Sequence, residues 1–134
     1  SHLENAALMQ CCDCYISLHR SEGFGLTLAE MMLMGKPVIT TGYSGNMDFT
    51  TPKTALLVDY QLVPVELSFP YEYSEGELWA EPNVQQASDY MRELVEDSTF
   101  AQPLAQKGEE LIRTSFSTTA MGERYKKRLS TLLM

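Results

Sequence analysis

No stretch of this sequence approaches the roughly 20 consecutive apolar residues that cross a bilayer, and no signal-peptide pattern opens it. Cations are scarce: 10 Lys and Arg stand against 18 Asp and Glu, for a net charge of -8. Nucleic acid is therefore not an expected partner, because phosphate backbones are held by clustered Lys and Arg. No basic residue occurs between Lys53 and Arg92, a span that carries Asp59, Glu66, Glu72, Glu75, Glu77, Glu81 and Asp89. Cysteine is limited to Cys11, Cys12 and Cys14, with none elsewhere to pair with. That usage argues against a disulfide framework and for a reducing, cytoplasmic setting. It also argues against a metal centre, which wants four ligands at spaced positions; His19 lies too far along the chain to close a compact set. The three thiols are expected to be small, buried core residues. Internal repeats and low-complexity tracts are missing as well.

What is present fits one α/β domain. A chain of 134 residues buries about two thirds of its unfolded surface, and the hydrophobic fraction of 44% is ordinary for a globular protein. Helix is expected over 3–10, strand over 14–18, helix over 26–34 and strand over 37–40. Ser44 is expected to cap a short helix through Phe49, and residues 55–59 read as a third strand. Residues 61–82, rich in Pro, Tyr and Glu, read as a long irregular connection. Asn83 with Gln86 has the form of a capping box, opening a helix whose buried stripe would be Val84, Ala87, Met91, Leu94 and Val95. Pro103 suits the first turn of a further helix from about 102 to 113. Ser117 caps the last one, with Met121, Tyr125, Leu129 and Leu132 along one side. Strands alternating with helices imply a Rossmann-like parallel sheet flanked by helices. Arg124, Lys126, Lys127 and Arg128 crowd the last helix. A solvated face is the favoured reading, and contact with an anionic membrane surface the alternative, since the helix has no Trp or Phe on its apolar side.

The densest chemistry lies in residues 21–39. Cys14 to Leu18 reads as a short buried strand. Gly23 and Gly25 then permit a tight turn and a close backbone approach to a ligand. A helix opens at Leu26, Gly35 ends it, and Pro37 precedes the next strand. The amides of Phe24, Gly25 and Leu26 at a helix N-terminus suit a phosphate group. Glu22 and Glu30 flank that turn. A carboxylate accepts two hydrogen bonds side by side and suits a vicinal diol. From these residues alone, Glu30 as an exposed helix residue and Glu22 as a cap for orphan amides remain open. His19 and Arg20 follow the carboxyl end of the first strand, where ligands bind in open α/β sheets. Arg20 could meet a phosphate or pair with Glu22. Ser44, Gly45 and Asn46 could line a sugar pocket or simply form a capping turn. Tyr71, Tyr73 and Trp79 could stack on a sugar, or hold down a surface flap.

The stretch Glu22-Gly23-Phe24-Gly25-Leu26, with Glu30 and Gly35-Lys36-Pro37-Val38-Ile39, closely resembles the signature of retaining, nucleotide-sugar-dependent glycosyltransferases of family 4 (group 1). The likeness continues through residues 41–49, 55–58 and 79–82. It implies part of the C-terminal, donor-binding domain of a GT-B fold with two facing Rossmann-like domains. The whole chain, 1–134, would be a partial nucleotide-sugar-binding domain, and the N-terminal acceptor domain would lie outside it. The opening Ser1-His2, without an initiating Met, is expected to be an internal boundary or a tag remnant. The resemblance assigns the ribose to Glu30 and sets Glu22 in the catalytic site beside the donor sugar hydroxyls. It implies no metal or other cofactor, and the sequence contains no Asp-x-Asp. The partners implied are a nucleotide sugar and the missing domain, in the cytoplasm or peripherally at the inner face of a membrane. Polysaccharide or lipid-linked glycan assembly is the setting the resemblance suggests. Two other classes stay open: another two-Rossmann enzyme, such as a nucleotide-sugar epimerase or phosphorylase, and a non-catalytic binding or assembly module. A glycosidase using the two glutamates is disfavoured, because nothing else frames a sugar-cleaving site.

Overall fold

The computed structural model of the chain describes residues 2–65 and 76–133. Helix α1 (His2–Gln10) leads into strand β1 (Tyr15–Ser17), helix α2 (Leu26–Leu33) and strand β2 (Val38–Thr41). A 3-10 turn (Gly45–Asp48) follows, then β3 (Leu56–Val58), β4 (Tyr60–Pro64) and β5 (Leu78–Pro82). Three helices close the chain: α3 (Val84–Glu96), α4 (Gln102–Ser115) and α5 (Thr118–Leu132). The sheet runs β1-β2-β3, all parallel, with Ile16 opposite Ile39 and Ile39 opposite Leu56.

The sheet carries a separate core on each face because neighbouring strand residues point opposite ways. Val38 joins Leu28, Met31, Met32, Phe49 and Ile112 beneath α2 and α4. Ile39 joins Leu56, Val58, Ala87 and Ala101 beneath α3. Every residue of β2 is buried, as a central parallel strand requires. Gly35, at φ 69, lets the chain leave α2 through a left-handed residue, and Pro37 then directs it into β2.

Three expectations are corrected. The connection over 61–82 is not irregular where it is described: β4 and β5 pair antiparallel from Tyr60 opposite Pro82 to Pro64 opposite Leu78. Its alternation was masked by prolines, which a two-stranded, edge-only ribbon tolerates. The stripe on α3 is not buried: Ala87 is 1% exposed, but Val84, Met91 and Val95 are 62%, 48% and 85% exposed. Periodicity shows which face is apolar, not whether a neighbour covers it. Here α3 packs chiefly on β2 and β3, and β1 is an edge of the sheet. Nor are the thiols fully buried: Cys11 is exposed, while Cys12 and Cys14 are partly buried and pack against the margins of the two cores.

One of the two side-chain caps differs in detail. Asn83 accepts from the Gln86 amide, but the Gln86 side chain turns to Asp59 rather than back to Asn83, so the box is half made. Ser117 caps α5 through the amide of Ala120, as expected. Helix α5 is exposed from Gly122 onward, its apolar side included. Among the described residues no helix is long and apolar enough to cross a membrane.

Candidate donor site

The carboxyl end of β1, the loop to residue 25 and the start of α2 form the centre of the site. Gly25 is the N-cap of α2 at φ 90 and ψ 57, where a Cβ would stand 2.8 Å from Leu28 Cδ1. Only glycine enters the helix comfortably at that angle. No side chain caps this helix, and its first turn holds no acidic residue. Its leading amides therefore face outward at the positive end of the helix dipole. Tyr15, Ser17, Glu22 and residues 24–28 enclose a cleft of about 330 Å³ at this point.

The two glutamates flank that helix start along the chain, and Glu22 but not Glu30 lines the cleft there. Glu22 is half-buried and accepts from the amide of Gly23 at 2.9 Å, so it does not cap α2. Glu30 is exposed and has no hydrogen-bond or ion-pair partner among the described residues. It borders a cleft of about 450 Å³ against α1, with Asn5, Ala6 and Met9, and another of about 430 Å³ with Phe24, Asp48, Phe116 and Arg124. The 330 Å³ cleft shares Thr27 with the cleft against α1 and Leu26 with the other. Outward-facing amides suit an anion, and a carboxylate suits a vicinal diol.

Other singled-out residues are engaged within the protein. Phe24 packs its ring against Phe49 at 4.9 Å and Phe116 at 5.9 Å, so the ring anchors the loop. His19 Nε2 lies 3.0 Å from the Tyr43 carbonyl and 3.1 Å from Asn46 Oδ1. Two acceptors there put the proton on Nε2, leaving Nδ1 to accept from the Ser17 hydroxyl at 3.2 Å. Asn46 is fully buried and also donates to the Thr41 carbonyl and Thr50 Oγ1, which uses its whole amide. Arg20 pairs with Glu81 at 2.6 Å, not with Glu22, and lies 4.5 Å over the Trp79 ring. The Trp79 ring thus has its partner inside the chain, while Tyr71 and Tyr73 lie outside the described residues. Gly45 presses on the glycine turn so closely that a Cβ would fall 1.8 Å from the Gly23 carbonyl oxygen.

Ser44 is the residue that sequence reasoning under-read. Its hydroxyl does not cap the following turn. It donates to the Glu22 carbonyl at 2.7 Å and accepts from the Glu22 amide at 3.1 Å, while the Gly45 amide reaches the same carbonyl at 3.0 Å. Its backbone sits at φ 81 and ψ -155, the one non-glycine positive φ among the described residues. That region costs a side-chain-bearing residue about 1–3 kcal/mol. The only sequence signal was the Ser44-Gly45 pair after a strand.

The family model for Glycosyl transferases group 1 matches residues 1–111. Anabaena Alr3699/HepE in complex with UDP is similar in structure, with a TM-score of 0.67 at 21% identity over 92% of this chain and 29% of that one. The same protein in complex with UDP-glucose gives 0.66 at 21% identity and the same coverage of both chains. Sucrose-phosphate synthase from Thermosynechococcus elongatus gives 0.69 at 20% identity, over 98% of this chain and 29% of that one. This chain therefore spans 29% of the length of the solved structures it resembles. No curated protein matches the sequence. A chain with a parallel α/β sheet, a glycine turn and an uncapped helix start between two glutamates, matched over residues 1–111 by that family, belongs to the group 1 glycosyl transferases.

Proposed function

We propose that this chain is part of the donor-binding, C-terminal domain of a retaining hexosyltransferase with a GT-B fold. The observation that carries the reading is the uncapped α2 N-terminus lying between Glu22 and Glu30 in a group 1 chain. A nucleotide diphosphate sugar presents a ribose diol, a diphosphate and sugar hydroxyls in that order. Glu30 takes the ribose, the amides of residues 24–26 support the diphosphate, and Glu22 meets the sugar. When the bond between the anomeric carbon and the diphosphate breaks, negative charge gathers on the leaving phosphate. Fixed amides and the helix dipole then stabilise it without reorganising. Positioning supplies the rest, and no metal ion is required of this chain.

In this reading the acceptor is held by a facing N-terminal domain, and the parent works in the cytoplasm on polysaccharide or lipid-linked glycan. Helix α5, basic and exposed, is the element that would carry any peripheral membrane contact. The isolated chain transfers no sugar, because it lacks the acceptor side. Incubating it with UDP-glucose and its full-length parent's acceptor should give no product, whereas the parent should give one with retained anomeric configuration by NMR. Turnover by the isolated chain would overturn the division of labour. Inverted product, an epimerised free donor or phosphorolysis by the parent would overturn the reaction class.

One observation favours a second role beside this. Cys14, Ile16, Pro37, Met91, Leu94 and Val95 line an apolar cleft of about 240 Å³ along the free edge of β1. A parallel strand is ordinarily covered on both sides, so this edge suits packing against a further strand or another copy.

A further inference from the structure

We infer that Ser44 is a positioning residue for the donor site, acting through the Glu22 peptide. This rests on the donor-site reading above and goes beyond it by giving a task to a residue that would touch no ligand. The hydroxyl is spent twice on one peptide, donating to the Glu22 carbonyl at 2.7 Å and accepting from its amide at 3.1 Å. Its one proton is therefore already used, and it has no donor left for a sugar. The Gly45 amide adds a third bond to the same carbonyl, and the contact of Gly45 with Gly23 leaves no room for a Cβ between the two loops. The loop after β2 is thus zipped to the loop after β1 at the residue that carries the first carboxylate.

The cost of this arrangement identifies its purpose. At φ 81 and ψ -155, glycine would be relaxed and serine is strained. A loop selected for stability alone has glycine available there, as it does at the adjacent Gly45. Serine gives up backbone comfort and gains a hydroxyl, and that hydroxyl does nothing but fix Glu22. Fixing the Glu22 peptide sets the direction of its carboxylate and the start of the glycine turn that presents the amides of α2. His19, bonded to the Tyr43 carbonyl and to Asn46, holds the other end of the same loop, so the Ser44 hydroxyl works from a fixed base.

The test compares Ser44→Gly with Ser44→Ala by thermal melting, by amide hydrogen exchange at Glu22, and by calorimetric titration with UDP. Ser44→Gly relieves the strain and removes the hydroxyl; Ser44→Ala removes the hydroxyl and keeps the strain. Both should expose the Glu22 amide to faster exchange and weaken UDP by about tenfold, while only Ser44→Ala lowers Tm appreciably. A purely structural serine would move affinity and Tm together in both variants. Wild-type UDP affinity in Ser44→Gly, or an unchanged Glu22 amide, would overturn the inference. If the folded wild-type chain binds no UDP, the donor-site reading itself fails, and the exchange result still decides whether Ser44 holds Glu22.

Discussion

At the scale of single residues, glycine positions and one thiol give the sharpest consequences. Gly45→Ala would drive a Cβ to 1.8 Å from the Gly23 carbonyl, so the two site loops must part. Overpacking of that kind costs about 1–3 kcal/mol, occasionally more. A urea titration should show this loss, and UDP binding should fall with it; a variant of wild-type stability would mean the loops do not touch. Cys14 makes a different prediction. Burial pushes its thiol from an ordinary 9.0 up to about 11, with the Asp13 charge adding to the rise and a hydrogen bond at Ile39 opposing it. The folded state therefore keeps a proton that the unfolded chain sheds. Stability from this source is whole below about pH 9 and drains away as pH rises through about 11. Tm should drop more steeply between pH 8.5 and 10.5 in the wild type than in Cys14→Ala. At neutral pH a maleimide should label exposed Cys11 well before Cys14. What the sequence could reveal at this scale was which residues carry charge and which lack a Cβ. Glu22, Glu30, Gly25 and Gly35 were legible for that reason. The role of Ser44 was not, because a serine at positive φ looks like any other serine until its two loops are brought together.

At the scale of elements, the strand, glycine turn, helix and strand over residues 15–41 were readable because each boundary is marked by a residue with a fixed backbone consequence. Gly25 opens α2, Gly35 closes it, and β-branched residues begin β2. The β4–β5 hairpin was not readable, since its pairing joins strands separated by a long connection and no local period announces a partner. It is nonetheless fastened to the site loop. Arg20 reaches Glu81 and covers Trp79, the Ala80 amide donates to the Arg20 carbonyl at 3.0 Å, and Tyr43 meets Tyr60 at 5.0 Å. The Arg20 and Glu81 side chains are 46% and 44% exposed, so the ion pair itself is worth well under about 1 kcal/mol. Trp79 is half-buried and contributes area as well as the cation contact. Glu81→Gln should therefore change Tm little, and Trp79→Ala should lower it clearly and loosen the hairpin. Equal effects from the two substitutions in thermal melts would show that the salt bridge, not the ring, fastens the hairpin.

At the scale of the whole molecule, the α/β class and the parallel sheet follow from the alternation of elements, and the family match over residues 1–111 agrees with the motif. Exposure could not be read in the same way. An apolar stripe on α3 is visible as a period, yet only the folded chain shows that Met91 and Val95 stand beside the free edge of β1 without a cover. This surface should make the chain self-associate at high concentration. Sedimentation at rising concentration should show larger species that Val95→Lys suppresses, and a monodisperse monomer would refute the self-association. None of this bears on donor recognition, which is the central claim and lives at the start of α2. Its most direct measurement is calorimetric titration of the chain and of its Glu30→Ala variant with UDP, with melting curves showing that both are folded. The wild type should bind saturably and the variant at least about tenfold more weakly, since a bidentate carboxylate contact is worth roughly 1.5–3 kcal/mol. Equal affinity in the two folded proteins would contradict the central claim.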